Sequence, residues 1–254
     1  MSNPVFNIIP SNQDDNYNDG NSFGAVKPMT VDGTLQVAGI NGLILMFAAM
    51  FCYSRFTIGY TDMGAMLMGT GGIVGFILAL VIIFSVRSVR FNSIKYLIPV
   101  YAVCEGFLLG GVSASMEAAY PGIVSSALLG TLVAFFSMLV LYRMRIISAT
   151  DKFKSTVFIA TLSVLVIYAV DMIGHLFGHS VPVLYSSSTL GILVSSVIVI
   201  IAALNLIIDF DFIEQCSVRG VPSDYEWYGA FGLMVTIVWM YIEILNLLAK
   251  LQRK

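Results

Sequence analysis

Seven apolar stretches, most of them at or above the ~20 residues that a membrane-crossing helix needs, fill most of this chain. They fall at about 34–54, 62–86, 95–117, 120–142, 154–177, 187–213 and 226–250. In hydrocarbon every backbone polar group must find its partner inside the protein, so apolar segments of this length fold as helices. The links between them are short, which makes consecutive helices antiparallel neighbours. The expectation is an all-α, polytopic membrane protein with seven transmembrane helices, built as one domain over residues 31–254.

Composition supports that class. Hydrophobic residues make up 58% of the 254 positions and charged residues only 11%, against about 25% charged in a soluble domain. A net charge of −2 leaves no basic footprint for nucleic acid. Residues 1–30 are rich in Asn, Asp, Gly and Pro without periodicity and read as a disordered tail. Because the first apolar stretch follows that tail, no cleavable signal peptide is expected. Cys52, Cys104 and Cys216 are widely spaced and read as small packing residues, not as a disulfide or metal set. The glycines of the second stretch (Gly64, Gly69, Gly71, Gly72, Gly75) and Gly106 and Gly110 in the third read as sites of close helix approach.

Basic residues mark the sides. Arg87, Arg90 and Lys95 follow the second stretch, Arg143, Arg145, Lys152 and Lys154 the fourth, and Arg219 the sixth; the alternate links carry only Arg55. The positive-inside rule places the basic links and the N-terminus in the cytoplasm of a cell (inner) membrane protein. Seven crossings then put the C-terminus outside. Lys250, Arg253 and Lys254 oppose that, so a re-entrant last segment is the alternative.

Acidic residues inside these stretches are the functional signal. A charged side chain in hydrocarbon is penalised by ~3 kcal/mol or more on insertion scales, so each must be protonated, paired or wet. Asp209 ends the run TLGILVSSVIVIIAALNLIID, and Glu243 lies within GLMVTIVWMYIEILNLLAKL. Asn205 shares a face with Asp209, and Thr236, Glu243 and Asn246 share a stripe on the last helix. If the stripes meet, two carboxylates approach in a low-dielectric site, where they either share a proton or close around a cation. Hard oxygen donors suit Ca²⁺, with Asp209 and Glu243 as its ligands. The alternative is a carboxyl–carboxylate bond that only locks two helices.

Depth complicates the pairing. A hairpin centred on Glu226 would bring the two acids level, whereas a tight turn at Gly220–Pro222 leaves them more than ~10 Å apart along the axis. Arg87 is a candidate counter-cation, or a head-group anchor. Glu105, Asn205, Asn246, Asp211 and Asp171 are further candidates for lining a pore or cavity, Asp171 alternatively pairing locally with His175. Asp211, Glu214, Asp224 and Glu226 are expected at the cytoplasmic mouth, concentrating cations. No HExxH, P-loop or GxSxG pattern is present, so no enzyme is expected and no cofactor beyond a bound or permeant Ca²⁺.

Two elements, D-x-x-x-I at Asp209–Ile213 and Y-x-[DE]-x-x-N-L-L at Tyr241–Leu248, together with AVCEGFLLGGVS in the third stretch, resemble the Bax-inhibitor family (the transmembrane Bax-inhibitor-motif proteins), most closely its bacterial branch. The resemblance covers about residues 30–250. It implies a seven-helix fold with the C-terminal helix central. It also implies a pH-sensitive Ca²⁺ leak governed by a carboxylate pair, here Asp209 and Glu243, with Arg87 at the position of an arginine that interacts with the pair. Family members usually carry Asp where this chain has Glu243, and the link between the two acids is longer here. A second expectation from the resemblance is a regulatory role, restraining a membrane protease or a stress-response partner through the N-terminal tail. The expected partners are thus the lipid bilayer, Ca²⁺ or protons, and a membrane protein.

Overall fold

The computed structural model describes residues 27–85, 94–178 and 181–253. Among these residues it has seven long apolar helices: α1 (Val31–Ile58), α2 (Thr61–Ser85), α3 (Ile94–Ala119), α4 (Ile123–Arg143), α5 (Asp151–Leu176), α7 (Thr189–Val218) and α8 (Tyr225–Gln252). A single-turn helix, α6 (Pro182–Tyr185), sits between α5 and α7. The protein is an all-α polytopic membrane protein. Arg87, Arg90 and residues 1–26 lie outside the described residues.

Helix starts follow local chemistry. The hydroxyls of Thr30, Thr150 and Ser188 accept from the backbone N–H three residues on, satisfying donors that open each helix. α1 ends on Gly59 in the left-handed conformation (φ 97°). Most helices run further than hydropathy draws them. α7, at 30 residues, spans ~45 Å at 1.5 Å per residue, well beyond the ~30 Å of hydrocarbon.

α8 is the hub. It packs against α1, α3, α4 and α7, bonds to α5 through Tyr168, and shares a cavity wall with α2. Its buried face holds Phe231, Met234, Met240 and Leu245, with Tyr101 of α3 edge-on to Phe231 at 5.1 Å. Close approach in α3 depends on small residues. A Cβ on Gly110 would meet Cys52 Cβ at 2.9 Å and press on the Ala49 carbonyl, so α1 and α3 touch through backbone. Gly71 serves α2 and α3 the same way, against Phe107 at 2.9 Å, whereas Gly69 faces open space.

One face of the bundle gathers the start of α1, the α4–α5 link and the α7–α8 link. Lys27–Met29 pairs with the α7–α8 link: Met29 N–H donates to Val221 O (2.7 Å) and Ser223 N–H to Lys27 O (2.8 Å). Met29 itself is buried among Ile213, Cys216, Val221 and Tyr225. Glu226 Oε1 accepts from Thr30 N (2.9 Å) and Thr30 Oγ1 (3.1 Å), placing an acid at the positive end of α1. Glu226 therefore secures α1, in place of the expected cation-gathering role.

The opposite face explains the basic C-terminus. α8 is unbroken through the bundle, without the re-entrant turn weighed from sequence. Lys250 is buried there, donating to Ser195 Oγ (2.6 Å) and Gly191 O (3.3 Å) at the start of α7, and Arg253 donates to Tyr120 Oη (3.0 Å) beside α4. Lys250 and Arg253 are thus bonded to neighbouring helix ends and do not act as free charged anchors.

Candidate functional site

A cavity of about 350 Å³ lies between α2, α5, α7 and α8, at the level of Lys154 and Asp211 near the face that carries the basic links. Ala79 and Ile83 form its α2 wall, Gly232 and Thr236 its α8 wall, and Asp209, Asp211 and Lys154 are its charged lining. Lys154 forms an ion pair with Asp211. Both side chains are largely out of water, with 16% and 11% exposure. Gln215 Nε2 also donates to Asp211 (2.5 Å). Beside this pair, Tyr142 and Arg145 both donate to Glu214. Asp211 and Glu214 are thus charge-compensated, which corrects the reading of them as free cation collectors.

Asp209 is different. Its Oδ2 is buried and has no hydrogen-bond partner. Its Oδ1 lies 3.7 Å from where a Gly232 Cβ would sit, and the Thr236 hydroxyl is beside it. A carboxylate oxygen held out of water without a donor is met by a proton, a cation or an enclosed water. The room is present, and Asp209, Asp211 and Thr236 offer hard oxygens of the type Ca²⁺ accepts.

Glu243 is not part of this cavity. Its Oε1 accepts from Tyr168 Oη (2.6 Å) and Trp239 Nε1 (3.0 Å). The antiparallel register of α7 and α8 is fixed by two contacts: Asp209 against Gly232 and Thr236, and Lys250 against Gly191 and Ser195. That register sets Glu243 level with residues 198–202 of α7, ~10–16 Å along the axis from Asp209. The expected coupled pair is therefore not assembled, and the two carboxylates do not ligate one ion in this arrangement. The reason is the tight α7–α8 turn, which spans only Arg219–Asp224.

The remaining candidates divide. Asn205 Nδ2 clamps α7 to α5 through Thr161 Oγ1 (2.8 Å) and donates to Ile201 O. Glu105 faces Gly75 of α2, Oε2 lying 3.3 Å from where a Cβ would be, and lines no part of the cavity. Asn246 is half-buried on α8, also away from it. Asp171, expected as a lining residue, clasps the α5–α6 link instead. It accepts from Val181 N (2.8 Å) and Tyr185 Oη (2.5 Å), with His175 Nδ1 at 3.5 Å. That bond pushes the Tyr185 phenol up to about 12. Among the described residues no cluster of three or more His, Cys, Asp or Glu is arranged to hold a metal.

Sequence reasoning missed Lys154, Tyr168 and Trp239 as partners of the acids. A signal was present for two of them: Lys154 and Tyr168 lie fourteen residues apart on one face of α5.

A seven-helix membrane bundle with a central C-terminal helix and a carboxylate-lined cavity on its basic face is the class these observations define. The chain matches the family model "Bax inhibitor 1 like" over residues 3–253 and belongs to that family. Neither a curated protein nor a solved structure matches it.

Proposed function

We propose that the protein is a proton-sensitive cation leak of the cell membrane, with Ca²⁺ as the permeant ion. The observation that carries this reading is the unpartnered Oδ2 of Asp209, which lines the same cavity as Lys154 and Asp211. With a proton on Asp209 the cavity holds only the compensated Lys154–Asp211 pair, and a cation gains nothing by entering. Without it, the cavity bears net negative charge close to the entry side, which draws a cation in. Higher pH on the cytoplasmic side therefore favours entry. Arg87, which lies outside the described residues, is proposed from the family resemblance alone as a cation that competes for Asp209. Glu243 is proposed as a later station, reached only after Asp209. The bacterial branch of the family is proposed as the one this chain falls in, from the sequence resemblance alone.

The test is Ca²⁺ flux into proteoliposomes across pH for the full chain. Asp209→Asn is expected to flatten the pH response, and Glu243→Gln to lower flux without removing it. The regulatory reading is separated by deleting residues 2–26, which spares the docked Lys27–Thr30 segment. A leak survives that deletion; a partner complex held by the tail does not.

A further inference from the structure

The inner face of α5 is a ladder of polar rungs. Lys154, Thr161, Tyr168 and His175 recur every seven residues, with Val157, Val164 and Asp171 between them. This alternating spacing of three and four keeps all seven on one nearly straight seam. Each rung meets its own partner. Lys154 pairs with Asp211, Thr161 accepts from Asn205, Tyr168 donates to Glu243, and His175 stands beside Asp171 at the α5–α6 clasp. The rungs thus run from the Asp209 cavity to the opposite face. Val157 and Val164, 3% and 6% exposed, are the apolar plugs between them.

The seal along this seam is thin. The main apolar core draws on six of the long helices and the α4–α5 link, but only on Phe153 from α5. Elsewhere α5 turns large residues such as Phe158, Leu162 and Leu165 outward. Successive rungs are ~10 Å apart, so they form no continuous hydrogen-bonded chain in this state. Water must pass the two valines to join them.

We propose that cations cross the membrane along the α5 seam against α7 and α8, with Val157 and Val164 as the dry barrier. The order of stations is Asp209 with Lys154–Asp211, then Thr161–Asn205, then Tyr168–Glu243, then the Asp171 clasp. This rests on the leak reading given above and assigns its route. It also gives Glu243 a role without contact to Asp209.

Single cysteines are placed at 157, 161, 164 and 168 on the seam, and at 158, 162 and 165 on the lipid side. The background is the full chain with Cys52, Cys104 and Cys216 replaced by alanine. A membrane-impermeant trimethylammonium methanethiosulfonate is the probe. Seam cysteines are expected to react at least tenfold faster than lipid-side ones, and their modification to cut Ca²⁺ flux at least threefold. Val164→Ser is expected to raise flux severalfold. Seam cysteines reacting no faster than lipid-side ones, or flux that persists after their modification, overturns the route. Flux that depends on Asp209 but ignores the seam overturns the route alone. Absence of flux in the unmodified protein overturns the leak, while the reaction rates still report whether water enters the seam.

Discussion

Replacing Lys154 with Met removes the amine facing Asp211 and keeps the length of the side chain. Breaking a buried ion pair from one side leaves an uncompensated charge and typically loses ~3–5 kcal/mol. Here Asp211 keeps the Gln215 amide at 2.5 Å, and it borders the cavity. That donor and the access to water soften the loss to ~2–3 kcal/mol. Asp211→Leu strands the ammonium instead and loses a similar amount. The double variant removes both desolvated charges and is expected within ~1 kcal/mol of the parent. A double-mutant cycle of reversible unfolding in mild detergent should therefore give a coupling of at least ~2 kcal/mol. Arg145 and Glu214, at 62% and 37% exposure, supply the internal comparison and should couple far more weakly. Additive losses at Lys154 and Asp211, with coupling below ~0.5 kcal/mol, would refute the description of this pair as desolvated.

Other outcomes follow from the packing and the caps. Gly110→Val should lower thermal stability by more than ~2 kcal/mol, because its side chain meets the Ala49 carbonyl, whereas Gly69→Ala should leave the melting temperature unchanged. Lys250→Met should lose ~1–3 kcal/mol by removing the donor to Ser195 and Gly191, and Lys250→Arg should recover part of it. An impermeant label should reach a C-terminal tag from the outer side of intact cells and an N-terminal tag only after permeabilisation. The Tyr185–Asp171 clasp raises the phenol from its ordinary 10.0 to about 12. Its stabilisation is present in full below the ordinary value and lost as pH rises through the shifted one. An absorbance titration that shows Tyr185 ionising with exposed tyrosines would contradict the clasp.

The seven helices were legible because length and apolarity alone fix them in a bilayer. Their ends were not, since α7 continues as helix to Val218, beyond residue 213 where its apolar run ends. Asp209 was legible as an anomaly, and the structure leaves it one: buried beside a cavity with an unpartnered oxygen. Its supposed partner was not, because the register of α7 on α8 is set by a short turn and by contacts such as Lys250 with Ser195. Lys250 misled for a physical reason. Counting charge by loop cannot reveal that an amine is buried against the first turn of another helix. The α5 seam escaped notice because Thr161 and Tyr168 are uncharged and sit inside an apolar run, where only their seven-residue spacing sets them apart.

The most direct test of the leak is initial Ca²⁺ entry into proteoliposomes, compared between the parent and Asp209→Asn at cytoplasmic-side pH from about 5.5 to 8.5, a range centred on neutrality. Entry that rises with pH in the parent and stays flat and low in Asp209→Asn is the predicted result. Equal flux and an equal pH profile in the two proteins would contradict the role assigned to the Asp209 cavity.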